Sequence, residues 1–360
     1  MNANAATNDE IANRIAGLIL GTALGDALGL PREGLSPRRA ARIFGDGPIR
    51  HALLGGRGMI SDDTEHTCMA AQALIGSGGE VEGFTRDFAR RLRWWFAAFP
   101  AGAGKATIRA CLKLWVGIGP QRSGVTSAGN GPAMRSAVLA VASLDDVSRL
   151  RALVRASTRI THTDPRAEEG AVAIALAARA ALLAGASVSP REVLIEISSS
   201  VEGSELRAAL ATVIELIKTG AAPVQALRFE RGVSGYINNT VPAALYCWAR
   251  WPVDFRAAVE AAIRLGGDTD TTGAITGALV GATVGAGQLP TDWLTGLRDW
   301  PCTTEWMRKL ALTLSNQMKN GWRTAPERPA RLSWPASFAR NVAFLLIVLA
   351  HGLRRLLPPY

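Results

Sequence analysis

The chain has 360 residues, is rich in alanine, leucine and glycine and poor in tyrosine and phenylalanine, and carries a formal net charge of +10 with a pI near 10.2. That length allows a large core in one or two domains, and that composition favours helices packed closely through small residues over a sheet. The net charge suggests an acidic ligand or surface, but it is mostly arginine dispersed along the chain, which favours a solvated surface, and with no basic block of the kind a nucleic-acid arm needs no stable nucleic-acid partner is expected. Cys68, Cys111, Cys247 and Cys302 lie far apart, with no Cys-x-x-Cys pair, which argues against a zinc site or a disulfide framework.

Met1 to Glu10 is polar, lacks the apolar core of an export signal, and is expected to be disordered and cytoplasmic. Ile11 to Leu24 reads as a buried helix that ends in Gly25-Asp26-Ala27-Leu28-Gly29, and Pro31 to Gly58, rich in Gly, Pro and Arg, as a long loop. A helix should start near Asp62 and run to Ile75, followed by helices over Gly83 to Phe96 and Thr107 to Trp115. Ser123 to Gly131 is a Gly/Ser/Asn loop, after which Pro132 opens a helix at a favoured early position. Asp145 to Ser157 and Ala167 to Leu183 follow, joined by Thr161-His162-Thr163-Asp164-Pro165. Further helical patterns cover Pro190 to Ser199, Glu205 to Lys218, Pro242 to Trp248, Asp254 to Leu265 and Thr272 to Val284. No alternation of apolar and polar residues is strong enough to assign a strand. The expectation is one all-α domain over residues 11–310, a short N-terminal tail (1–10) and a C-terminal extension (311–360) with an apolar helix.

In that extension Asn320 to Pro335 reads as an irregular linker, and Phe338 to Leu357 contains the run Val342 to Ala350 followed by Arg354-Arg355. The run is about half of the ~20 residues a membrane span requires, so a helix docked on the domain or on another subunit is expected. A helix lying on a membrane surface, its arginines at the headgroups, is the alternative.

Two short acidic clusters stand out. Ser61-Asp62-Asp63-Thr64-Glu65 and Gly266-Gly267-Asp268-Thr269-Asp270-Thr271 each pack carboxylates and hydroxyls into a few residues ahead of an apolar helix. Asp and Ser are favoured helix caps, and acidic residues meet the helix dipole well, so capping accounts for either cluster alone. Hard divalent cations want oxygen ligands at this density, so a metal site built from both is the other reading. In the second cluster the glycines allow a tight turn, and Asp268, Asp270 and Thr271 offer three oxygens where a cap needs one. The loop Ser123 to Arg135 suits a phosphate through glycine-exposed N–H groups and the helix start after Pro132; a plain glycine-rich turn also fits. His162, placed in a loop between hydroxyls, is a candidate ligand contact. His66 reads as a packing residue or a support to the cluster, while His51 and His351 carry no signal.

Five motifs in order, Gly25-Asp26-Ala27-Leu28-Gly29, Ser61-Asp62-Asp63-Thr64, Ser127-Ala128-Gly129-Asn130-Gly131-Pro132-Ala133-Met134-Arg135, Thr161-His162-Thr163-Asp164-Pro165 and Gly266-Gly267-Asp268-Thr269-Asp270-Thr271, resemble those of the ADP-ribosylglycohydrolases over about Ile11 to Leu297. The resemblance implies an all-α orthogonal helical fold and two Mg2+ or Mn2+ ions held by Ser61, Asp62, Asp63, Asp268, Asp270 and Thr271. It implies Glu33, Asp62, Asp63 and Asp270 as catalytic, with Ser127, Ala128, Gly129, Asn130, Met134, His162 and Gly267 lining the ADP-ribose pocket. The implied reaction removes ADP-ribose from a protein side chain, arginine or serine, or from another conjugate. Ser61 stands where the family usually has threonine and keeps the oxygen. Several arginine-directed relatives carry an aspartate, proposed to act in proton transfer, where this chain reads Phe99-Pro100-Ala101-Gly102-Ala103-Gly104, so the resemblance by itself implies neither arginine specificity nor that version of the mechanism. The alternatives are an ADP-ribose-binding or crystallin-like protein without turnover, and an immunity protein against an ADP-ribosylating toxin.

Overall fold

The computed structural model describes residues 7–322 and 327–355. Thr7 opens α1 (Asn8–Gly29) with a capping box, its hydroxyl accepting from the N–H of Glu10 and the Glu10 carboxylate accepting from the N–H of Thr7. The helix therefore starts before Ile11, and the expected disordered stretch 1–10 keeps only residues 1–6 outside the described residues. The Gly-Asp-Ala-Leu-Gly motif is the last turn and a half of α1 and does not end it early. From Gly17 to Gly29 every residue is buried, the mark of a core helix without a polar face.

The expected loop Pro31 to Gly58 holds a 3-10 turn (Leu30–Arg32) and α2 (Pro37–Phe44). Ser36 caps α2, Pro37 occupies its first position, and Arg38, Arg39 and Arg42 alternate with Ala40, Ile43 and Phe44 at helical spacing, a signal the Gly/Pro/Arg composition hid. Next come α3 (Asp62–Ser77), α4 (Val81–Ala97) and α5 (Lys105–Trp115). The helix expected after Pro132 is a single turn, α6 (Gly131–Met134), continued by a 3-10 run over Ala137–Ser143. After α7 (Val147–Arg159) and α8 (Pro165–Ala184) lie α9 (Pro190–Ser200), α10 (Ser204–Thr219) and the short α11 (Pro223–Ala226). Pro242 does not open a helix: it sits inside α12 (Ile237–Arg250), whose burial outweighs the lost backbone bond. Then come α13 (Phe255–Arg264), α14 (Thr269–Val284) and α15 (Thr291–Gly296). A further helix, α16 (Thr304–Lys319), buries Met307, Leu310, Ala311 and Leu314 in the main core, so the expected boundary at 310 falls inside an integral core element. The last is α17 (Trp334–Arg354).

Among the described residues the fold is all-α; isolated bridges such as Leu35 with Gly267 and Val125 with His162 replace any sheet. Its axis is the α1–α14 pair. Gly17, Gly21, Gly25 and Gly29 face Gly281, Gly277, Gly273 and Thr269 in turn, and a methyl group at any of the four would run into the opposing carbonyl. Glycine every fourth residue on both helices brings the backbones into direct contact along their length. The Thr269 hydroxyl closes the end of this seam by donating to the Gly29 carbonyl at 2.8 Å. The start of α14 is thereby pinned beside the end of α1.

α17 is tied down by a buried polar anchor. Arg340 pairs with Asp299 at 2.6 Å and with Glu65 of α3 at 3.3 Å, and also donates to the Ile60 carbonyl. Asn341 donates to the Ala98 carbonyl at 3.0 Å, and Phe344 packs with Leu30 and Leu53. At the far end His351 lies 3.0 Å from the Pro31 carbonyl and Arg355 donates to the Glu33 carbonyl at 2.6 Å. The expected docking of this helix on its own domain is what the structure contains.

Candidate active site

Asp26, the one carboxylate in an otherwise apolar stretch of α1, organises the first acidic cluster. Its Oδ2 accepts from the N–H of Ser61 at 2.9 Å, from the N–H of Thr64 at 3.2 Å and from the Thr64 hydroxyl. It thus caps α3 from outside, alongside Ser61, whose Oγ accepts from the N–H of Asp63. With its cap role shared, Asp63 points its carboxylate elsewhere. Asp63 Oδ2 accepts from the Ser61 hydroxyl and from the Thr271 hydroxyl, each at 3.2 Å. The two clusters, 208 residues apart, therefore meet at one oxygen. Asp26 was absent from the candidate residues; a lone Asp inside a buried helical run was the signal for it.

The second cluster is placed by backbone pairing. Gly267 accepts from the N–H of Gly34 and donates to the Leu35 carbonyl, both at 2.7 Å, and Asp268 donates to the Val233 carbonyl at 2.7 Å. Gly267 has φ +78°, and a Cβ there would strike the Val233 carbonyl, so this crowded turn demands glycine. Gly267 is thus a hinge of the backbone, and its pairing with Gly34 brings Glu33 to the cluster. Asn130 Nδ2 donates to Asp268 Oδ2 at 2.8 Å and lies 2.9 Å from the Thr240 hydroxyl, so this amide orients Asp268. Asp270 Oδ1 accepts from the N–H of Thr271 at 3.0 Å.

These carboxylates raise one another. Burial first, then Asp26, Asp62 and Asp268, push Asp63 well above the usual carboxylate range. Burial, then Glu33, Asp268 and Asp63, do the same for Asp270; burial, then Asp26, Glu65 and Glu33, for the half-buried Asp62. Asp26 is pushed up to about 6 by burial against its three hydrogen bonds. Glu33 keeps solvent access, yet protein crowding its carboxyl and then Asp268, opposed by Arg355, raise it to about 7.

Among the described residues no three Asp, Glu, His or Cys side chains are gathered into a ready metal shell. The donor set that fits a cation is mixed: Asp62, Asp63, Asp268 and Asp270 with the hydroxyls of Ser61 and Thr271, all hard oxygens. Asp63 Oδ1 and Asp26 Oδ1 are buried with no hydrogen-bond partner. An unpartnered buried carboxylate oxygen beside several mutually repelling carboxylates calls for positive charge. Capping and cation binding are not competitors here, since Ser61 and Asp26 cap while Asp63 remains available.

The third and fourth motifs lie side by side. Val125 pairs with His162 through bonds to Thr161 and Thr163, and Asn130 and Ile237 pair across Ala128 and Gly235. The Gly129 N–H donates to Ser127 Oγ at 3.3 Å and the Asn130 N–H to the Gly235 carbonyl at 3.0 Å. Those two N–H groups are therefore engaged within the loop, and the single-turn α6 adds little dipole, so the expected phosphate cradle is weaker than its glycines suggest. Met134 is buried, its carbonyl accepting from the Thr67 hydroxyl, and it supports the loop from the core side.

Arg135, another residue missed, sits fully buried beneath this loop. It donates to the Gly131 carbonyl, the Ser157 carbonyl and the Thr161 hydroxyl at 2.7–3.0 Å, and burial lowers it to about 9. The Thr161 oxygen accepts from Arg135 and lies 2.8 Å from His162 Nδ1 and 3.4 Å from the Thr158 carbonyl, so the His162 ring is oriented through Nδ1. Burial and then Arg135 push His162 down to about 3, so it acts as a neutral ring whose Nε2 faces Gly129. His66 is likewise held neutral, by burial and then by Arg135, against Trp95.

The family description ADP-ribosylglycohydrolase matches residues 7–323. An uncharacterised protein of Archaeoglobus fulgidus is 31% identical over 293 residues, 79% of this chain and 90% of that one. The ADP-ribosyl-[dinitrogen reductase] glycohydrolase of Rhodospirillum rubrum is 28% identical over 246 residues, 67% of this chain and 74% of that one. A solved structure described as an ADP-ribosylglycohydrolase-related protein complex superposes with a TM-score of 0.68 at 31% identity, covering 86% of this chain and 99% of its own. The match to 323 takes in α16, beyond the limit near Leu297 that the motifs indicate, and leaves α17 outside.

Proposed function

The chain belongs to the ADP-ribosylglycohydrolase family, a family of glycosidic-bond hydrolases, and from that premise we propose that it removes ADP-ribose from a modified acceptor by hydrolysing the bond at ribose C1″ with two divalent cations, Mg2+ or Mn2+. The observation that carries the reading is the meeting of Ser61, Asp63 and Thr271 at one carboxylate oxygen whose twin is buried without a partner. Ser61, Asp62, Asp63, Asp268, Asp270 and Thr271 would hold the ions, which when bound supply Lewis acidity and a water of lowered pKa.

The chain's own residues then divide the work. Asp268 is aimed by Asn130, and Asp62 and Asp63 by the shared cap of Ser61 and Asp26. Glu33, solvent-accessible and brought to the cluster by the Gly34–Gly267 pairing, is the general acid–base. Neutral His162 presents Nε2 beside Gly129, and with Ser127 and Ala128 it borders the place for the ADP-ribose; held rigidly, that distal part of the substrate positions the anomeric carbon. Beside Asp62 the loop carries Gly102 and no carboxylate, so proton transfer falls to Glu33. Four free, buried thiols support a reducing, cytoplasmic location.

An activity panel over arginine-, serine- and nucleic-acid-linked ADP-ribose with added Mg2+ or Mn2+ tests this. The expected result is divalent-dependent release from at least one linkage, abolished in Asp62→Ala and Asp270→Ala. Tight ADP-ribose binding in calorimetry with no release from any linkage would instead identify a binding protein.

A further inference from the structure

α17 turns one face to the domain and leaves the other bare. Arg340, Asn341 and Phe344 are buried, while Val342, Leu345, Leu346, Leu349 and Leu353 are 41–66% exposed. Two other helices, α1 and α8, are as long and as apolar but are mostly buried in the core; the most apolar window of α17 is only 17% buried. At its N-terminal end the bare face runs into an aromatic ridge. Phe338 packs on Phe99 at 6.1 Å, Trp334 on Trp94 at 6.3 Å, and Trp94 on Trp115 at 5.7 Å. A contiguous exposed apolar surface of this kind marks an interaction site.

Charge identifies what covers it. Residues 334–355 contain no Asp or Glu, and neither do residues 88–144, which supply Trp94, Phe99 and Trp115. Arg39 donates to the Arg355 carbonyl at 3.1 Å, so Arg39 stands with Arg354 and Arg355 at the C-terminal end of α17. At the other end Arg93 lies over the Trp115 ring. Asp87, Glu65 and Asp299 are already paired with Arg90, Arg91 and Arg340, while Glu33 stands by Arg355 at the C-terminal end and Glu327 beside Trp94 and Trp334 at the other. A second copy seated two-fold on this face would set identical rims against each other in which arginines outnumber the acids Glu33 and Glu327. A membrane span is opposed by the anchor, because Arg340 and Asn341 hold the helix against the domain.

We propose that this face docks on an anionic lipid bilayer, with α17 lying in the plane of the interface. The leucines enter the headgroup–acyl boundary, the tryptophans take the position such rings favour, and the arginines reach lipid phosphates. The inference does not depend on the reaction catalysed. It does place the carboxylate cluster near the bilayer, since Arg355 holds the Glu33 backbone and the loop bearing Phe99 lies beside Asp62.

Co-sedimentation of the full chain with phosphatidylcholine vesicles, with and without phosphatidylglycerol, tests it, with gel filtration in the absence of lipid alongside. Binding to the phosphatidylglycerol vesicles is expected, reduced on neutral ones and weakened by raising salt from about 0.1 to about 0.5 M. The exposed pair Leu346→Asp/Leu349→Asp should bind at least about tenfold more weakly while keeping its thermal midpoint. If that variant does not fold, the surface charge reversal Arg39→Glu/Arg354→Glu, expected to lose anionic preference, carries the test. Failure to bind phosphatidylglycerol vesicles, equal binding to neutral ones, or a lipid-free dimer that the leucine variant dissociates would overturn the proposal.

Discussion

Asp63 is where two distant segments become one site, and its surroundings decide what substitutions there do. It is buried, accepts two hydroxyls on one oxygen and leaves the other bare among like charges. Without a cation, Asp63→Asn relieves repulsion, so thermal unfolding in EDTA should show the variant at least as stable as the native chain. With Mg2+ or Mn2+ the order should reverse. The native chain should gain about 2.7 kcal/mol at a hundredfold excess over Kd, and the variant little. Equal gains in both would remove Asp63 from the cation site. Arg340 is the opposite case, a buried cation that satisfies Asp299 and Glu65 together. Arg340→Ala leaves two buried carboxylates unanswered and should cost about 3–5 kcal/mol in denaturant unfolding.

Among the elements, the α1–α14 seam bears most directly on the site. Its glycines sit against backbone, so there is no side chain to move aside. Gly277→Ala should destabilise by roughly 2–3 kcal/mol or more and weaken cation binding, because Thr269 and Asp270 lie at the end of the same seam. Gly47→Ala, with open space around its Cβ, should change stability by less than about 0.5 kcal/mol. Most helices were legible from spacing and caps: α3 starts at Asp62 as read, and α8, read from Ala167, starts two residues earlier at Pro165. The misreadings share a cause. In α2 and α12 proline and arginine looked like loop or boundary markers, whereas burial of Ala40 and of nearly all of α12 overrode the local preference. The carboxylate Asp26 was visible in the motif, but its role as a second cap for α3 depends on a contact 35 residues away.

Across the whole molecule, the site's charge couples to stability. Asp26 at about 6, Glu33 at about 7 and Asp62, Asp63 and Asp270, each raised well above the usual carboxylate range, hold protons in the folded state that the unfolded chain gives up near 4. A raised folded pKa contributes stability that is full below the unfolded value and lost as pH rises through the folded one. His162 and His66, lowered in the fold, act oppositely: the unfolded chain protonates them below about 6.5 and pulls stability down there. Above that pH the carboxylates dominate, and the buried thiols, raised in the fold, add in the same direction near the top of the range. In EDTA, denaturant unfolding should therefore show stability falling from pH 6.5 to 8, by at most about 1.4 kcal/mol per pH unit for each group. Saturating Mg2+ should flatten or reverse the slope; a flat profile in EDTA would contradict the mutual repulsion. By itself the sequence determined the helical class, the caps and the family, because periodicity, capping chemistry and motif order are written in neighbouring residues. Only the tertiary structure decided that the Asp63 carboxylate meets the Thr271 hydroxyl, that Asn130 aims Asp268, and that α17 is clamped by Arg340 with its leucines outward. Those contacts join residues far apart in the chain, and the side chain that fills each gap depends on how the helix faces interlock, which local preference does not encode.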